Sequence, residues 1–137
     1  MILADTSAWI EYDRASGSPV HLRLRELIAS DGDLAVTEPV ITEVVSGART
    51  DERESALRRL LNRCELLPFD SVADFDGAAR IYRNCRKAGV TPRALIDCMI
   101  ASVALRHEVA LLARDPDLVR MADVMPLRLD EATVRTP

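Results

Sequence analysis

Cysteine is scarce in this sequence, and the spacing of its cysteines excludes two common kinds of small domain. Of 137 residues only three are cysteine, Cys64, Cys85 and Cys98. An odd number of cysteines without a CxxC pair argues against both a disulfide framework and a zinc site. Long apolar runs are also lacking, since no stretch approaches the roughly eighteen residues of a membrane span. The N-terminus has no basic region ahead of an apolar one. These absences predict a cytoplasmic protein that does not associate with a membrane.

Lysine is almost absent as well. The 18 basic residues comprise 17 arginines and one lysine, Lys87, and ten of them lie between Arg49 and Arg93, although the net charge is −4. Arginine matches the geometry of phosphate groups better than lysine does, so this bias favours a phosphate-bearing partner. A GC-rich genome would produce the same bias, and solvated helix faces are the commoner explanation of charged stretches.

The apolar residues that are present suffice for one domain of ordinary size, covering residues 1–137. Their share is 48%, and the chain is too short for two separate cores. Short apolar runs alternate with segments of helical periodicity, which predicts an α/β fold with a parallel sheet and helices on both faces. The predicted strands are residues 1–4, 34–36, 65–69, 109–113 and 124–129.

The segment 93–107 differs from the other predicted helices. Residues 94–105 are apolar on almost every side, so this helix is expected to lie buried between the sheet and other helices. It nevertheless contains a carboxylate, Asp97. An ionised carboxylate in a low-dielectric interior is unfavourable by several kcal/mol unless a positive charge compensates it. Asp97 is therefore the most informative acid in the sequence.

Carboxylates stand at four places where packing alone would not require them. Asp5 ends the first strand, Glu43 lies one turn into an apolar helix, and Asp97 lies within the buried helix. Asp115 and Asp117 directly follow the fourth strand. Strand ends and helix starts can meet at one edge of a parallel sheet, so these acids are expected to converge there. Their repulsion would be relieved by divalent cations, and oxygen ligands without histidine or cysteine select Mg²⁺ or Mn²⁺.

Each acid also has a structural explanation. Asp5 could satisfy backbone donors at a strand end, Glu43 could lie at the edge of an apolar face, and Asp115 could cap the next helix. Asp97 has an arginine, Arg93, one helical turn before it. An ion pair between them would explain Asp97 without a metal ion, whereas an Arg93 that points to solvent would leave the acid in need of another cation.

An all-carboxylate site for Mg²⁺ or Mn²⁺ suits the hydrolysis of a phosphodiester, because the ion activates a water and offsets charge on the phosphoryl oxygens. Other phosphoryl enzymes fit less well. A haloacid-dehalogenase phosphatase needs a second aspartate where Ser7 stands, and a receiver domain needs a lysine after a late strand, whereas Lys87 is in a predicted helix. A P-loop motif does not occur. A non-catalytic binding module, in which the acids hold a structural ion or cap helices, is the alternative from another class.

Four segments together resemble the PIN-domain nucleases, and most of all the VapC-type toxins of bacterial toxin-antitoxin pairs. They read DTSAWI at 5–10, TEVV at 42–45, ALIDCMIAS at 94–102 and LLARDPDL at 111–118. The resemblance implies an α/β/α sandwich with a parallel sheet of about five strands. It also implies an active site that binds Mg²⁺ or Mn²⁺. In that site Asp5, Glu43, Asp97 and Asp115 match the characteristic acids, Asp117 matches a further acid, and Thr6 or Ser7 matches the hydroxyl beside the first acid.

The same resemblance implies the partners of the protein. Toxins of this family cleave RNA, often structured RNA such as transfer RNA. A cognate VapB-type antitoxin holds them inactive by covering the site with its C-terminal segment, and they usually form homodimers. The candidates for contacts with RNA phosphates are five basic residues: Arg80, Arg83, Arg86, Lys87 and Arg93.

Overall fold

A four-stranded parallel sheet forms the centre of the computed structural model, which describes residues 1–136. The strands are β1 (Ile2–Ala4), β2 (Leu34–Val36), β3 (Glu65–Leu66) and β4 (Ala110–Leu112). Their order is β3-β2-β1-β4, and every neighbouring pair is parallel. The predicted α/β sandwich is confirmed, and β1 lies between β2 and β4.

The fifth predicted strand is wrong. In residues 124–129 only Leu129 forms a bridge with the sheet, a parallel one to Leu111, whose N–H donates to the carbonyl oxygen of Arg128 at 2.9 Å. Pro126 in the middle of this segment has no N–H to donate to a ladder. The described part of the chain therefore has four strands where about five were expected.

Eight helices surround the sheet within residues 1–136. They are α1 (Thr6–Asp13), α2 (Pro19–Ala29), α3 (Glu38–Ser46), α4 (Asp51–Leu61), α5 (Ala73–Lys87), α6 (Leu95–His107), α7 (Pro116–Ala122) and α8 (Glu131–Arg135). Several of them start where the sequence supplies a cap: the side chains of Ser18 and Thr50 accept hydrogen bonds from the first turns of α2 and α4. None of these helices is both long and apolar enough to cross a membrane.

The core lies between the sheet and the helices that cover it. Leu3, Leu111 and Leu112 are fully buried, as strands covered on both faces require. In α6, Ile100 and Val103 are fully buried too, so the expectation that this apolar helix is an interior one is confirmed. Because α6 is interior, Asp97 in its first turn is positioned by a rigid part of the fold.

A buried polar network joins α5 to α6. Asp74 is fully buried and accepts hydrogen bonds from Ser102 Oγ at 2.8 Å and from Arg106 Nη2 at 2.7 Å. Arg106 Nη2 also donates to the carbonyl oxygen of Pro68 at 2.7 Å. The helices approach closely at Gly77, where an added Cβ would lie 2.3 Å from Ser102 Oγ. This network fixes the second half of α6 against α5.

Candidate active site

Asp5 lies directly beyond β1 and caps α1. Its Oδ2 accepts hydrogen bonds from the Ser7 backbone N–H at 3.0 Å and from Ser7 Oγ at 2.6 Å. The residue is only 2% exposed, and its Oδ1 has no hydrogen-bond partner within residues 1–136. Burial is the main reason that the pKa of Asp5 is raised to about 6, and nearby carboxylates raise it further. Asp5 thus presents one bonded oxygen and one buried oxygen that lacks a partner.

Glu43 reaches the same region from α3. Thr6 Oγ1, at the start of α1, donates a hydrogen bond of 2.5 Å to Glu43 Oε1. Glu43 is close enough to Asp5 and Asp97 to raise the pKa of both by repulsion. The hydroxyl of Thr6 therefore fixes the second acid beside the first.

Asp97 is half-buried in the first turn of α6. Burial raises its pKa to about 7, with further contributions from the charges of Asp5, Asp115 and Glu43. The ion pair that would have explained this acid structurally is not formed, because the Arg93 side chain is 76% exposed and pairs with Asp117 at 3.0 Å instead. Asp97 thus stands among carboxylates that repel it.

Asp115 follows β4 and caps α7, where its Oδ1 accepts a hydrogen bond of 2.9 Å from the Asp117 N–H. The structural explanation for this acid is therefore correct. Asp115 also lies close to the other acids, since its charge contributes to the raised pKa of Asp5 and of Asp97. The structure brings Asp5, Glu43, Asp97 and Asp115 together, and we refer to these four side chains as the acid cluster.

Asp117 is placed differently from the acid cluster. Its side chain is 3% exposed, and Oδ2 accepts hydrogen bonds from the backbone N–H of Arg93 at 3.1 Å and from Arg93 Nε at 3.0 Å. Its Oδ1 accepts a hydrogen bond from Arg120. Burial alone would raise the pKa of Asp117, but the bonds from Arg93 and Arg120 outweigh it and hold the pKa below its usual value. Both oxygens are occupied by arginines.

The basic residues predicted to contact RNA divide into two groups. Arg80, Arg83, Arg86 and Lys87 are exposed on α5, where Arg80 pairs with Asp76 at 2.7 Å. Arg93 is the member of the set that approaches the acid cluster, with its Nη2 4.0 Å from Asp115 Oδ1. It lies at the rim of the cluster with most of its side chain exposed to solvent.

The sequence reasoning missed two residues beside the cluster, Glu11 and Arg114. Glu11 is 4% exposed and accepts a hydrogen bond of 2.9 Å from Arg114 Nη1. Arg114 also donates its backbone N–H to Ser7 Oγ at 2.9 Å. A signal existed in the form of an acid at a buried position of α1, but its partner lies 103 residues away along the chain. Sequence spacing cannot identify such a pair.

The donor set of the acid cluster fits a hard divalent cation. The cluster offers carboxylate oxygens, one of which, Asp5 Oδ1, is buried without a partner. Burial, followed by repulsion from the neighbouring carboxylates, raises the pKa values of Asp5 and Asp97, and a cation would offset both effects. In residues 1–136 no three acid, histidine or cysteine side chains are already drawn close enough to enclose an ion.

Comparisons with known proteins agree with the fold. The family model of the PIN domain matches residues 2–124. The chain is 42% identical over 129 residues to VapC ribonuclease Mb1587 of Mycobacterium bovis, an alignment that covers 93% of this chain and 96% of that protein. Ribonuclease VapC11 of Mycobacterium tuberculosis gives the same identity and the same coverage.

Two solved structures illustrate the likeness in fold. VapBC2 from Rickettsia felis, bound to a DNA fragment from their promoter, contains a chain that matches with a TM-score of 0.73 at 18% identity, covering 95% of this chain and 98% of that one. FitAcB from Neisseria gonorrhoeae matches with a TM-score of 0.71 at 24% identity, covering 95% and 97%. At these identities the likeness shows a common fold.

Proposed function

This chain belongs to the PIN domain family, and we propose that it is a metal-dependent endoribonuclease that acts as the toxin of a VapBC-type toxin-antitoxin pair. The observation that carries the proposal is the acid cluster, in which carboxylates from four separate parts of the chain meet. Within residues 1–136 the one salt bridge to any of them is the 4.0 Å contact between Arg93 and Asp115. The names of its 42%-identical relatives, which are VapC ribonucleases, support the same activity.

The cofactor we propose is Mg²⁺ or Mn²⁺, held by Asp5, Asp97 and Asp115. When bound, such an ion lowers the pKa of a water and offsets the charge that develops on phosphoryl oxygens. The protein supplies the rigid frame: Ser7 fixes one oxygen of Asp5, and the N–H of Asp117 fixes one oxygen of Asp115. One oxygen of each of these two carboxylates is thus oriented by the fold before any ion arrives.

Glu43 has a different role in this proposal. Its Oε1 is held by Thr6 Oγ1, so Oε2 is the oxygen available to orient a water or to accept its proton. A carboxylate oxygen within hydrogen-bond reach of a water can accept the proton of that water. Thr6 therefore acts by positioning the general base.

The substrate we propose is RNA, such as a structured transfer RNA. Arg93 is the residue best placed to contact a phosphate, because Asp117 holds its Nε while its Nη groups lie at the rim of the acid cluster. Guanidinium groups bind phosphate oxygens through charge-assisted hydrogen bonds. The basic residues of α5, which are Arg80, Arg83, Arg86 and Lys87, would contact phosphates further along the strand.

The partner we propose is a VapB-type antitoxin. Structural neighbours of this chain are components of VapBC complexes from Rickettsia felis and Salmonella typhimurium, which supports a partner of this kind. An antitoxin segment that covers the acid cluster would exclude RNA. We also propose that the toxin forms a homodimer, as the resemblance to its family implies.

Purified protein is expected to cleave RNA in the presence of Mg²⁺ or Mn²⁺ and to stop when EDTA is added. Asp5→Asn should abolish cleavage, because it removes a charge from the cluster while keeping the shape of the side chain. Asp33→Asn is the matched control, since Asp33 is exposed and precedes β2, at the amino ends of the strands rather than at the carboxyl ends where the acid cluster lies. Cleavage that persists in EDTA would contradict metal dependence. Failure to cleave any RNA with either ion would contradict the nuclease proposal.

Asp117 offers a second test, because the sequence predicts it to be a metal ligand whereas in the structure both of its carboxylate oxygens accept hydrogen bonds from arginine side chains. We expect Asp117→Asn to change the affinity for Mn²⁺ by less than about threefold and to raise the KM for RNA by about tenfold, as loss of the Arg93 anchor would. Asp115→Asn, the comparison variant, should lower the Mn²⁺ affinity by about tenfold or more. Calorimetric titration measures both affinities. A similar loss in the two variants would establish Asp117 as a ligand.

A further inference from the structure

A buried ion pair ties α1 to the segment that follows β4. Glu11, in the last turns of α1, accepts hydrogen bonds from Arg114 Nη1 at 2.9 Å and from Ser16 Oγ at 2.8 Å. Burial would raise the pKa of Glu11, but bonds from the neighbouring serines and from Arg114 outweigh it and hold the pKa below its usual value. Glu11 is therefore a buried anion whose charge is balanced by Arg114. We call this contact the Glu11–Arg114 clasp.

The backbone of Arg114 makes a second link to the same helix. Its N–H donates to Ser7 Oγ at 2.9 Å, and Ser7 Oγ in turn donates to Asp5 Oδ2 at 2.6 Å. The residue that follows Arg114 is Asp115. The clasp and the hydrogen bonds of Ser7 thus both hold residues 114–115 against α1. Asp5 precedes α1 directly and Asp115 lies in the held segment, so the two segments joined in this way each carry an acid of the cluster.

We propose that Glu11 and Arg114 are positioning residues that set the separation of Asp5 and Asp115 for ion binding, an inference that rests on the proposed function. Two carboxylates that repel each other need an external restraint to stay close together. Supporting residues must hold a metal-binding constellation within about 0.5 Å of its productive geometry. The clasp is such a restraint, because it joins the two chain segments that carry these acids without itself contacting either carboxylate.

A purely structural role would have different consequences. Replacing both partners of a buried ion pair with apolar groups is often neutral for stability, but removing one partner is destabilising because it leaves a buried charge unpaired. The Arg23–Asp130 pair at 3.3 Å provides the comparison, since it also joins distant segments and includes none of the acids of the cluster. Loss of the clasp should weaken ion binding, whereas loss of the Arg23–Asp130 pair should not.

The test compares Arg114→Ala, Arg114→Lys and Glu11→Gln with Arg23→Ala as the control. We expect Arg114→Ala to lower both the Mn²⁺ affinity and kcat by about tenfold while changing the KM for RNA by less than about twofold. Arg114→Lys should restore part of both losses, because lysine can still reach a buried carboxylate. Arg23→Ala should leave the Mn²⁺ affinity and kcat unchanged. Titration calorimetry gives the affinity independently of catalysis.

Three outcomes would overturn the inference. One is a wild-type Mn²⁺ affinity in Arg114→Ala, and another is a rise in KM with kcat unchanged, which would make Arg114 an RNA contact. The third is an equal loss of affinity in Arg23→Ala, which would indicate general destabilisation.

If Arg114→Ala does not fold, Glu11→Gln carries the test, because it keeps the size of the side chain. If the wild-type protein binds Mn²⁺ but cleaves no RNA, the proposed function is wrong. The role of Glu11 and Arg114 can then still be tested, because it predicts a loss of Mn²⁺ affinity in Arg114→Ala.

Discussion

Asp97→Asn is expected to lower RNA cleavage by at least about a hundredfold and to make the metal-free protein more stable. Catalysis is lost because one of the acids that we propose to hold the ion is neutralised. Stability rises because the pKa of Asp97 is raised to about 7 by burial first and then by Asp5, Asp115 and Glu43, so its ionised form is unfavourable in the folded state. We expect the free energy of unfolding to increase by about 2 kcal/mol at pH 8.

The pH dependence of this gain follows from the direction of the shift. An acid whose pKa is raised on folding stabilises the protein at low pH, and that stabilisation is lost as the pH rises through the folded value of about 7. The amide that Asp97→Asn introduces does not ionise. The advantage of the variant should therefore be present at pH 8 and small at pH 5.

Urea unfolding in EDTA at the two pH values measures this difference, and Asp76→Asn is the control, since Asp76 is an exposed acid of α5. Added Mn²⁺ should stabilise the wild type and have little effect on Asp97→Asn. A variant that is less stable than the wild type at pH 8 would show that Asp97 has a structural role and would remove the main support for the ion site.

The sequence predicts β1, β2 and β4 and the acids that follow them because both depend on local patterns. A short apolar run bounded by polar residues can be recognised without knowledge of the fold, and the carboxyl ends of parallel strands share one edge of the sheet. Asp5 and Asp115 can be found in this way. Asp97 can be found because a charged residue within an otherwise apolar helical segment is recognisable from the sequence alone.

The remainder depends on contacts between distant parts of the chain. The position of Asp117 in the sequence suits a metal ligand, but in the structure its Oδ2 accepts a hydrogen bond from Arg93, which is 24 residues away along the chain. Pro126 argues locally against a full strand in residues 124–129, but nothing in this segment shows that Leu129 forms a bridge with the sheet. The short helix α8 is not predicted either, since its five residues are too few to show a period. Such features are decided by tertiary packing rather than by local preference.

Asp74→Ala is expected to have the largest effect on stability, lowering the free energy of unfolding by about 2–4 kcal/mol. Burial opposes the ionisation of Asp74, but hydrogen bonds from Arg106, the Asp70 N–H and Ser102 hold its pKa below the usual value. The substitution removes the carboxylate that pairs with Arg106, whose side chain is 35% exposed and keeps its hydrogen bond to the Pro68 carbonyl oxygen. It also leaves the Ser102 hydroxyl without its acceptor, the Asp74 carboxylate, which is 0% exposed in the wild type.

The pH dependence of stability separates this explanation from a simple loss of packing. An acid whose pKa is lowered on folding stabilises the protein above its unfolded pKa of about 3.9, and the stabilisation is lost as the pH falls further. Asp74→Ala should therefore differ most from the wild type at neutral pH and less below pH ~3. Asp76→Ala, the control on the same helix, should change stability by less than about 0.5 kcal/mol. A double variant, Asp74→Leu with Arg106→Met, should recover most of the loss, and a double variant as unstable as Asp74→Ala would show that packing rather than the uncompensated charge is responsible.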